Sequence, residues 1–159
     1  MGPGEYELLR TIRLRCLGEE PDSFGSTYER EIAFTDAVWM HRLRPDGNPH
    51  YVSEAPDGTP NGIAAGVPDD TVDHTANLVG MWVDPVARGT GVADELITQV
   101  IRWAELEGYR AMSLHATEGN VRAERAYQRH GFRRTGRTFL RERDGLTEFE
   151  MARPMRETG

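Results

Sequence analysis

The feature that most constrains the fold is an apolar run followed by a glycine turn and a long amphipathic stretch. Residues 78–83 are apolar on both faces, which is typical of a central strand buried between two layers. A turn containing Gly89 and Gly91 follows, and apolar residues then recur at helical spacing from 92 to 104. The start of a helix has unpaired backbone N–H groups and the positive end of the helix dipole. The order of strand, glycine turn and helix therefore predicts a cradle for an anion such as a pyrophosphate.

Three explanations of this glycine turn make different demands on the sequence. The Rossmann fingerprint G-x-G-x-x-G requires a third glycine at the position that Asp94 occupies here. A Walker A loop requires a lysine, and every basic residue of this chain is an arginine. The third explanation, a turn that needs only the conformational freedom of glycine, stays open for residues 89–91 taken alone.

A second pattern follows the first along the chain, at residues 111–132. A short apolar run at 111–116 precedes the motif Asn-x-x-Ala-x-x-x-Tyr-x-x-x-Gly-Phe over residues 120–132. Together with Arg-x-x-Gly-x-Ala over residues 88–93, this motif closely resembles the GCN5-related N-acetyltransferase (GNAT) superfamily. The resemblance implies an enzyme that moves the acetyl group of acetyl-CoA, its co-substrate, to a primary amine of a small molecule or peptide. An acyl-CoA-binding sensor of the same fold, without transferase activity, stays open as the alternative.

The element order predicts one mixed α/β domain over residues 1–159. Helices are predicted at 5–17, 36–43, 92–104 and 120–129, strands at 51–53, 63–67, 78–83 and 111–116, and a final hairpin at 136–143 and 147–153. Residues 68–77 are predicted to form a polar loop. The resemblance implies a central, mostly antiparallel sheet that splays between two adjacent parallel strands, with helices on both faces. We expect the family's first strand to be missing, which leaves an edge that a second subunit covers.

The resemblance also assigns the cofactor site residue by residue. Backbone N–H groups of 88–93 are expected to bind the pyrophosphate, and Arg88 adds a fixed positive charge. Backbone groups of 81–83 are expected to pair with the pantetheine amides and the thioester oxygen. One of the arginines on the helix at 120–129 is a candidate for the 3′-phosphate. The full set of expected cofactor-binding residues is Met81, Trp82, Val83, Arg88, Gly89, Thr90, Gly91, Val92, Ala93, Asn120, Ala123 and Tyr127.

Tyr127 and Glu31 are the predicted catalytic residues. Tyr127 matches the family's general acid, because a phenol of pKa about 10 can protonate a departing thiolate. Glu31 lies in the segment that resembles the part of the family bordering the acceptor. It is predicted, ahead of Glu29, to take a proton from a cationic amine. A packing role for Tyr127 and a solvated surface position for Glu31 stay open. His115 is a candidate proton relay.

Composition excludes several other classes of function. A net charge of −7 argues against nucleic-acid binding, and no apolar run approaches the roughly 20 residues of a membrane span. Residues 1–7 lack the pattern of a signal peptide, and Cys16 is the only cysteine, so a cytoplasmic protein with a buried thiol is expected. No histidine or cysteine spacing suggests a metal site. The resemblance implies an amine acceptor as one partner, and the missing first strand leads us to expect a second copy of the chain as the other.

Overall fold

The helices and strands of the computed structural model follow the periodicity of the sequence. The structure describes residues 1–24 and 26–155, without the side chains of Pro3 and Ser23. The helices are α1 (Tyr6–Glu19), α2 (Tyr28–Ile32), α3 (Asp36–Arg42), α4 (Val92–Leu106) and α5 (Val121–Arg129). The strands are β1 (His50–Glu54), β2 (Pro60–Pro68), β3 (Thr75–Val83), β4 (Ala111–Thr117), β5 (Arg133–Leu140) and β6 (Thr147–Pro154).

The six strands form one mixed sheet in the order β1-β2-β3-β4-β6-β5. The β3–β4 pair is parallel and every other pair is antiparallel. The parallel pairing is short, because it joins only residues 75–77 of β3 to residues 111–113 of β4. Beyond Asn77 the two strands separate. The predicted fold class is therefore confirmed, including the splay between two adjacent parallel strands.

Helices cover both faces of the sheet, and each face has its own apolar core. On one face, α4 and α5 pack on the sheet through a cluster that includes Leu78, Leu96, Ile97, Val100, Met112, Leu114, Phe132, Phe149 and Met151. On the other face, α1 and α3 pack through Leu9, Ile12, Leu17, Trp39, Ile63 and Trp82. Helix α4 comes close to β2 because Gly62 and Gly66 have no side chains. A Cβ at Gly62 would lie only 2.8 Å from Leu96, and one at Gly66 only 2.5 Å from Trp103. These glycines fix the position of α4 relative to the sheet.

Several predicted boundaries were wrong by a few residues. Strand β3 begins at Thr75, so the polar loop covers only residues 69–74, and β5 begins at Arg133 rather than 136. Polar pairing extends β3, because Ser113 Oγ donates to Asn77 Oδ1 at 2.7 Å across the parallel pair. Among the described residues no strand precedes α1, as expected. No described helix combines the length and apolar character needed to cross a bilayer.

Candidate active site

A cavity of about 740 Å³ lies where β3 and β4 separate. Residues from both sides of the sheet line it. Arg13 of α1 and Phe24 come from one side, whereas Ala93, Ala126 and Tyr127 come from α4 and α5 on the other. The cavity therefore passes through the sheet. We call the α1 side its acceptor end and the α4–α5 side its cofactor end.

A β-bulge in β3 lies beside the cavity. The pairing of β2 with β3 shifts register between residues 79 and 82, so Gly80 and Met81 together stand opposite a single residue, Ala64, and neither has a register partner on β2. They have none on β4 either, because the parallel pairing stops at Asn77. Gly80 has a φ of +64°, in the left-handed region that glycine adopts at little steric cost. Both residues line the cavity, so this backbone can hydrogen-bond to a bound molecule.

The start of α4 opens onto the cofactor end without a side chain to cap it. Gly91 is the N-cap residue, with a φ of +91°, and the Glu95 N–H makes the first helical hydrogen bond, to the Gly91 carbonyl at 3.1 Å. The N–H groups of residues 92–94 consequently have no acceptor within the helix. A Cβ at Gly89 or Gly91 would meet no atom within 4 Å, so the approach to this backbone is open. Free N–H groups at an open helix start are the geometry that the predicted anion cradle requires.

Arg88 ties the glycine turn to β3 and to the end of α1. Its Nε donates to the Val83 carbonyl at 3.1 Å, and its Nη2 donates to the carboxylate of Glu20. Arg88, Val83 and Glu20 all line the cavity. Arg88 was expected to add a fixed positive charge here, but Glu20 offsets part of that charge. Glu20 is 68 residues away in the chain, and no sequence motif pointed to it.

Arginines of α5 add positive charge at the cofactor end. Arg122 and Arg129 line the cavity, whereas Arg125 is not among its lining residues. Arg129 also donates to the Asp94 carboxylate at 3.1 Å, and the His130 ring nitrogen lies 2.8 Å from the same oxygen. The hydrogen bond from His130, aided by that from Arg129, holds the pKa of Asp94 below its usual value against the effect of partial burial. This pairing offsets a negative charge that would otherwise repel a phosphate at the start of α4.

Tyr127 lies on α5 and lines the cofactor end of the cavity. Its side chain is 6% exposed, and its ring packs edge-on against Phe132 with the ring centres 6.1 Å apart. Burial raises the pKa of the Tyr127 phenol, so the hydroxyl is protonated at neutral pH. Tyr127 lines the cavity, and its neighbours in space include both β4 and the α4–α5 core. It is therefore packed and also accessible to a bound molecule.

The other predicted cofactor residues fall into two groups. Met81, Trp82, Val83, Gly89, Gly91, Ala93, Asn120 and Ala123 line the cavity. Asn120 is also the N-cap of α5, because its Oδ1 accepts from the Ala123 N–H at 3.3 Å. Thr90 and Val92 are not lining residues. The Thr90 hydroxyl donates to the Ala87 carbonyl, and Val92 packs on the core, so these two can contribute only backbone groups.

Glu31 lies behind the cavity wall rather than in it. It is 1% exposed and is not among the lining residues. Its carboxylate accepts two hydrogen bonds of 3.1 Å from Arg13 and one of 3.1 Å from Arg42. Burial opposes ionisation, but the hydrogen bonds and charges of these arginines outweigh it and hold the pKa of Glu31 below its usual value.

This geometry argues against the role predicted for Glu31 and against the solvated alternative. A carboxylate that already binds two guanidinium groups, with a lowered pKa, is a weak base, and it does not contact the cavity. Glu31 instead positions Arg13, which does line the cavity. The helical turn around residue 31 gave no signal of this partner, because the two residues are 18 positions apart.

His115 lines the cavity but leans toward β5 and β6. Its ring stacks on Phe139 with centroids 4.5 Å apart, and its Nε2 lies 3.7 Å from the Glu150 carboxylate. Its proposed part as a proton relay stays a prediction. Within the described ranges, no group of three or more His, Cys, Asp or Glu residues could hold a metal ion.

Comparison with known proteins gives a consistent assignment. The sequence matches the acetyltransferase (GNAT) family over residues 9–132. N-acetylaspartate synthetase of Danio rerio is 32% identical over 123 residues, which make up 77% of this chain and 42% of that protein. Aminoglycoside N(6')-acetyltransferase type 1 of Salmonella typhimurium is 32% identical over 94 residues, 52% of this chain and 65% of that protein. This chain therefore spans less than half the length of the N-acetylaspartate synthetase.

A solved structure shares the whole architecture. A protein of Salmonella typhimurium, determined with its cofactor acetyl-CoA, superposes with a TM-score of 0.77 and 18% sequence identity. The match covers 100% of this chain and 93% of that one. At this level of identity, the likeness concerns the fold.

Proposed function

Because the chain belongs to the GNAT acetyltransferase family, we propose that it moves the acetyl group of acetyl-CoA to a primary amine. The acceptor is a small molecule or a peptide, and the amine attacks the thioester directly. The observation that carries this proposal is the cavity through the sheet, which joins the open start of α4 to Tyr127 and to a separate acceptor end. A site that only sensed acyl-CoA would need no acceptor end.

Backbone groups would provide most of the binding to acetyl-CoA. The free N–H groups at the start of α4 suit the pyrophosphate, and Arg122 at the cofactor end suits a further phosphate. The unpaired backbone at Gly80 and Met81 suits the pantetheine arm and the thioester oxygen. Asn120 and Ala123 border the same arm.

The reaction then needs a stabilised oxyanion and a proton for the leaving thiolate. The amine nitrogen bonds to the thioester carbon, and the Met81 backbone N–H stabilises the charge that develops on the oxygen, a contribution of roughly 3 kcal/mol for a preorganised donor. The carbon–sulfur bond breaks, and Tyr127 donates its phenolic proton to the departing sulfur. The acceptor's surplus proton passes to water, which restores the Tyr127 proton in turn.

Release of CoA in the presence of amines tests this proposal. A thiol reagent such as DTNB reports each CoA released, and a panel of amino acids, polyamines, aminoglycosides and peptides supplies the acceptors. Burial raises the pKa of Cys16, the only cysteine, to about 11, so the protein itself contributes little to the signal. Acetylation of an amine confirmed by mass spectrometry would support the transferase. Tight acetyl-CoA binding with no transfer to any amine would favour the sensor.

We further propose that the chain works as a single domain, in the reducing cytoplasm, and as a homodimer. The last proposal rests on the sheet order, in which β1 forms one edge. An uncovered edge strand presents unpaired N–H and C=O groups that a second subunit can satisfy.

A further inference from the structure

The acceptor end of the cavity carries a positive charge that the proposed reaction does not require. Arg13 and Arg42 share a single carboxylate, that of Glu31, so two positive groups face one negative group and the cluster has a net charge of +1. Arg13 is the member of this cluster that lines the cavity.

The orientation of Arg13 is fixed by its neighbours. Its Nε and Nη2 each donate to Glu31 at 3.1 Å, and the guanidinium lies over the Phe24 ring at 5.2 Å from the centroid. The remaining nitrogen, Nη1, lies 3.4 Å from the position of a Cβ on Gly80. Among the described residues, Nη1 makes no hydrogen bond. A rigid donor is therefore presented at the bulge in β3, next to Met81.

The carboxylates of the cavity are all committed to arginines. Among the described residues that line it, Glu20 pairs with Arg88, Asp94 pairs with Arg129, and Glu148 lies 3.8 Å from Arg141. A polycationic acceptor would therefore find no free negative charge here, and would meet the net positive charge around Arg13.

We propose that the acceptor is an amine carrying a carboxylate a few bonds from its nitrogen, as in an α-amino acid, and that Arg13 Nη1 binds this carboxylate. The inference rests on the proposed transferase function and names its class of substrate. Guanidinium–carboxylate hydrogen bonds are charge-assisted and therefore strong. Because Glu31 already orders the Arg13 side chain, little side-chain freedom is lost when the acceptor binds. The position beside Gly80 brings the carboxylate close to the backbone proposed to hold the thioester oxygen.

Matched acceptors test the proposal directly. L-phenylalanine is compared with phenethylamine and L-leucine with 3-methylbutylamine, so that each pair differs only in the α-carboxylate and the second member has none. At least one pair should show kcat/KM about tenfold or more higher for the amino acid. In the Arg13→Gln variant that preference should fall to about threefold or less, mainly through a higher KM, while kcat/KM for the decarboxylated amine stays near its original value.

Two further variants separate selectivity from folding. Arg13→Gln leaves Glu31 with only Arg42, so the double variant Arg13→Gln/Glu31→Gln removes both charges of the pair and leaves no buried carboxylate with half of its partners. Arg10→Gln changes an arginine of the same helix that does not line the cavity, and it should keep the full preference.

A binding readout keeps the inference apart from the transferase proposal. With CoA present, L-phenylalanine should raise the melting temperature of the original protein and of Arg10→Gln more than phenethylamine does, and this difference should vanish in both Arg13 variants. If no amine is acetylated, the transferase proposal fails, but these shifts still decide the inference. Equal use and equal binding of the two members of every pair, or an equal loss for both in Arg13→Gln, would overturn it.

Discussion

At the residue scale, Tyr127 combines an observed packing position with a proposed role in the chemistry. The phenol is almost fully buried and packs on Phe132, and the same burial raises its pKa. A raised pKa weakens the phenol as an acid but guarantees that its proton is present at neutral pH. The hydroxyl can therefore donate a hydrogen bond to sulfur as negative charge develops there.

We expect Tyr127→Phe to lower kcat by roughly 100-fold and to leave acetyl-CoA affinity nearly unchanged. Phenylalanine keeps the ring and its contact with Phe132, so the core should not change. Steady-state kinetics and calorimetry on the same preparation measure the two quantities. Unchanged turnover would reduce Tyr127 to a packing residue.

Glu31 should matter for stability. Glu31→Gln leaves Arg13 and Arg42 without their shared carboxylate, and we expect a loss of about 3 kcal/mol in the free energy of unfolding at pH 7. Because the folded-state pKa of Glu31 is lowered, its contribution is present above the unfolded pKa of about 4.3 and is lost as the pH falls through the folded value.

Urea unfolding at pH 7 and at pH 3 measures this effect. The gap between the original protein and Glu31→Gln should shrink at the lower pH. Glu29→Gln, an exposed position on the same helix α2, should change stability by no more than about 0.5 kcal/mol. Equal stability of Glu31→Gln and the original protein at pH 7 would contradict the buried ion pair.

The site could be predicted from the sequence where a motif and an element coincide. Gly89, Gly91, Asn120 and Tyr127 follow from their places beside helix starts and on a helix face. Arg13 and Glu20 could not be predicted, because their roles depend on partners far away in the chain. Gly80 carried a usable signal, since a glycine inside an apolar strand often marks a bulge.

At the scale of elements, the start of α4 is the part of the site that depends least on side chains. Its donors are backbone N–H groups, so conservative substitutions around it should matter little. A side chain placed into the open space beside Gly91 should matter greatly.

We expect Gly91→Glu to abolish acetyl-CoA binding, because it adds a side chain and a negative charge where the pyrophosphate is proposed to lie. Gly108→Glu is a matched control at the other end of α4. Gly108 also has a positive φ, of +82°, and open space around its Cβ position, so the two variants share the same backbone strain and the same added charge. Calorimetry with acetyl-CoA should separate them. Similar affinities in both would show that the cradle is wrongly placed.

The elements themselves could be predicted because hydrophobic periodicity records which face is buried. Helices α4 and α5 begin within a residue or two of their expected positions. The start of β3 could not be predicted, because Thr75, Ala76 and Asn77 resemble loop residues in the sequence and become part of the strand only through pairing with β4. The length of that pairing decides where the sheet opens, and it depends on contacts between strands rather than on either strand alone.

At the scale of the whole molecule, the sheet has an edge at β1 that is only five residues long. We expect a homodimer, and light scattering at micromolar concentration should give twice the 17.9 kDa mass of one chain. A mass of one chain across that concentration range would count against the assembly. The measurement is independent of acetyl-CoA and should be repeated with it, since binding can shift association.

The opening between β3 and β4 also has a kinetic consequence. A cavity lined from both faces of the sheet offers separate places for the two reactants, acetyl-CoA at the cofactor end and the amine at the acceptor end. Both reactants can then be bound at once, so initial velocities plotted as double reciprocals should give intersecting lines rather than the parallel lines of a relay through an acetylated protein. CoA should compete with acetyl-CoA but not with the amine, because CoA occupies the cofactor end and leaves the acceptor end open.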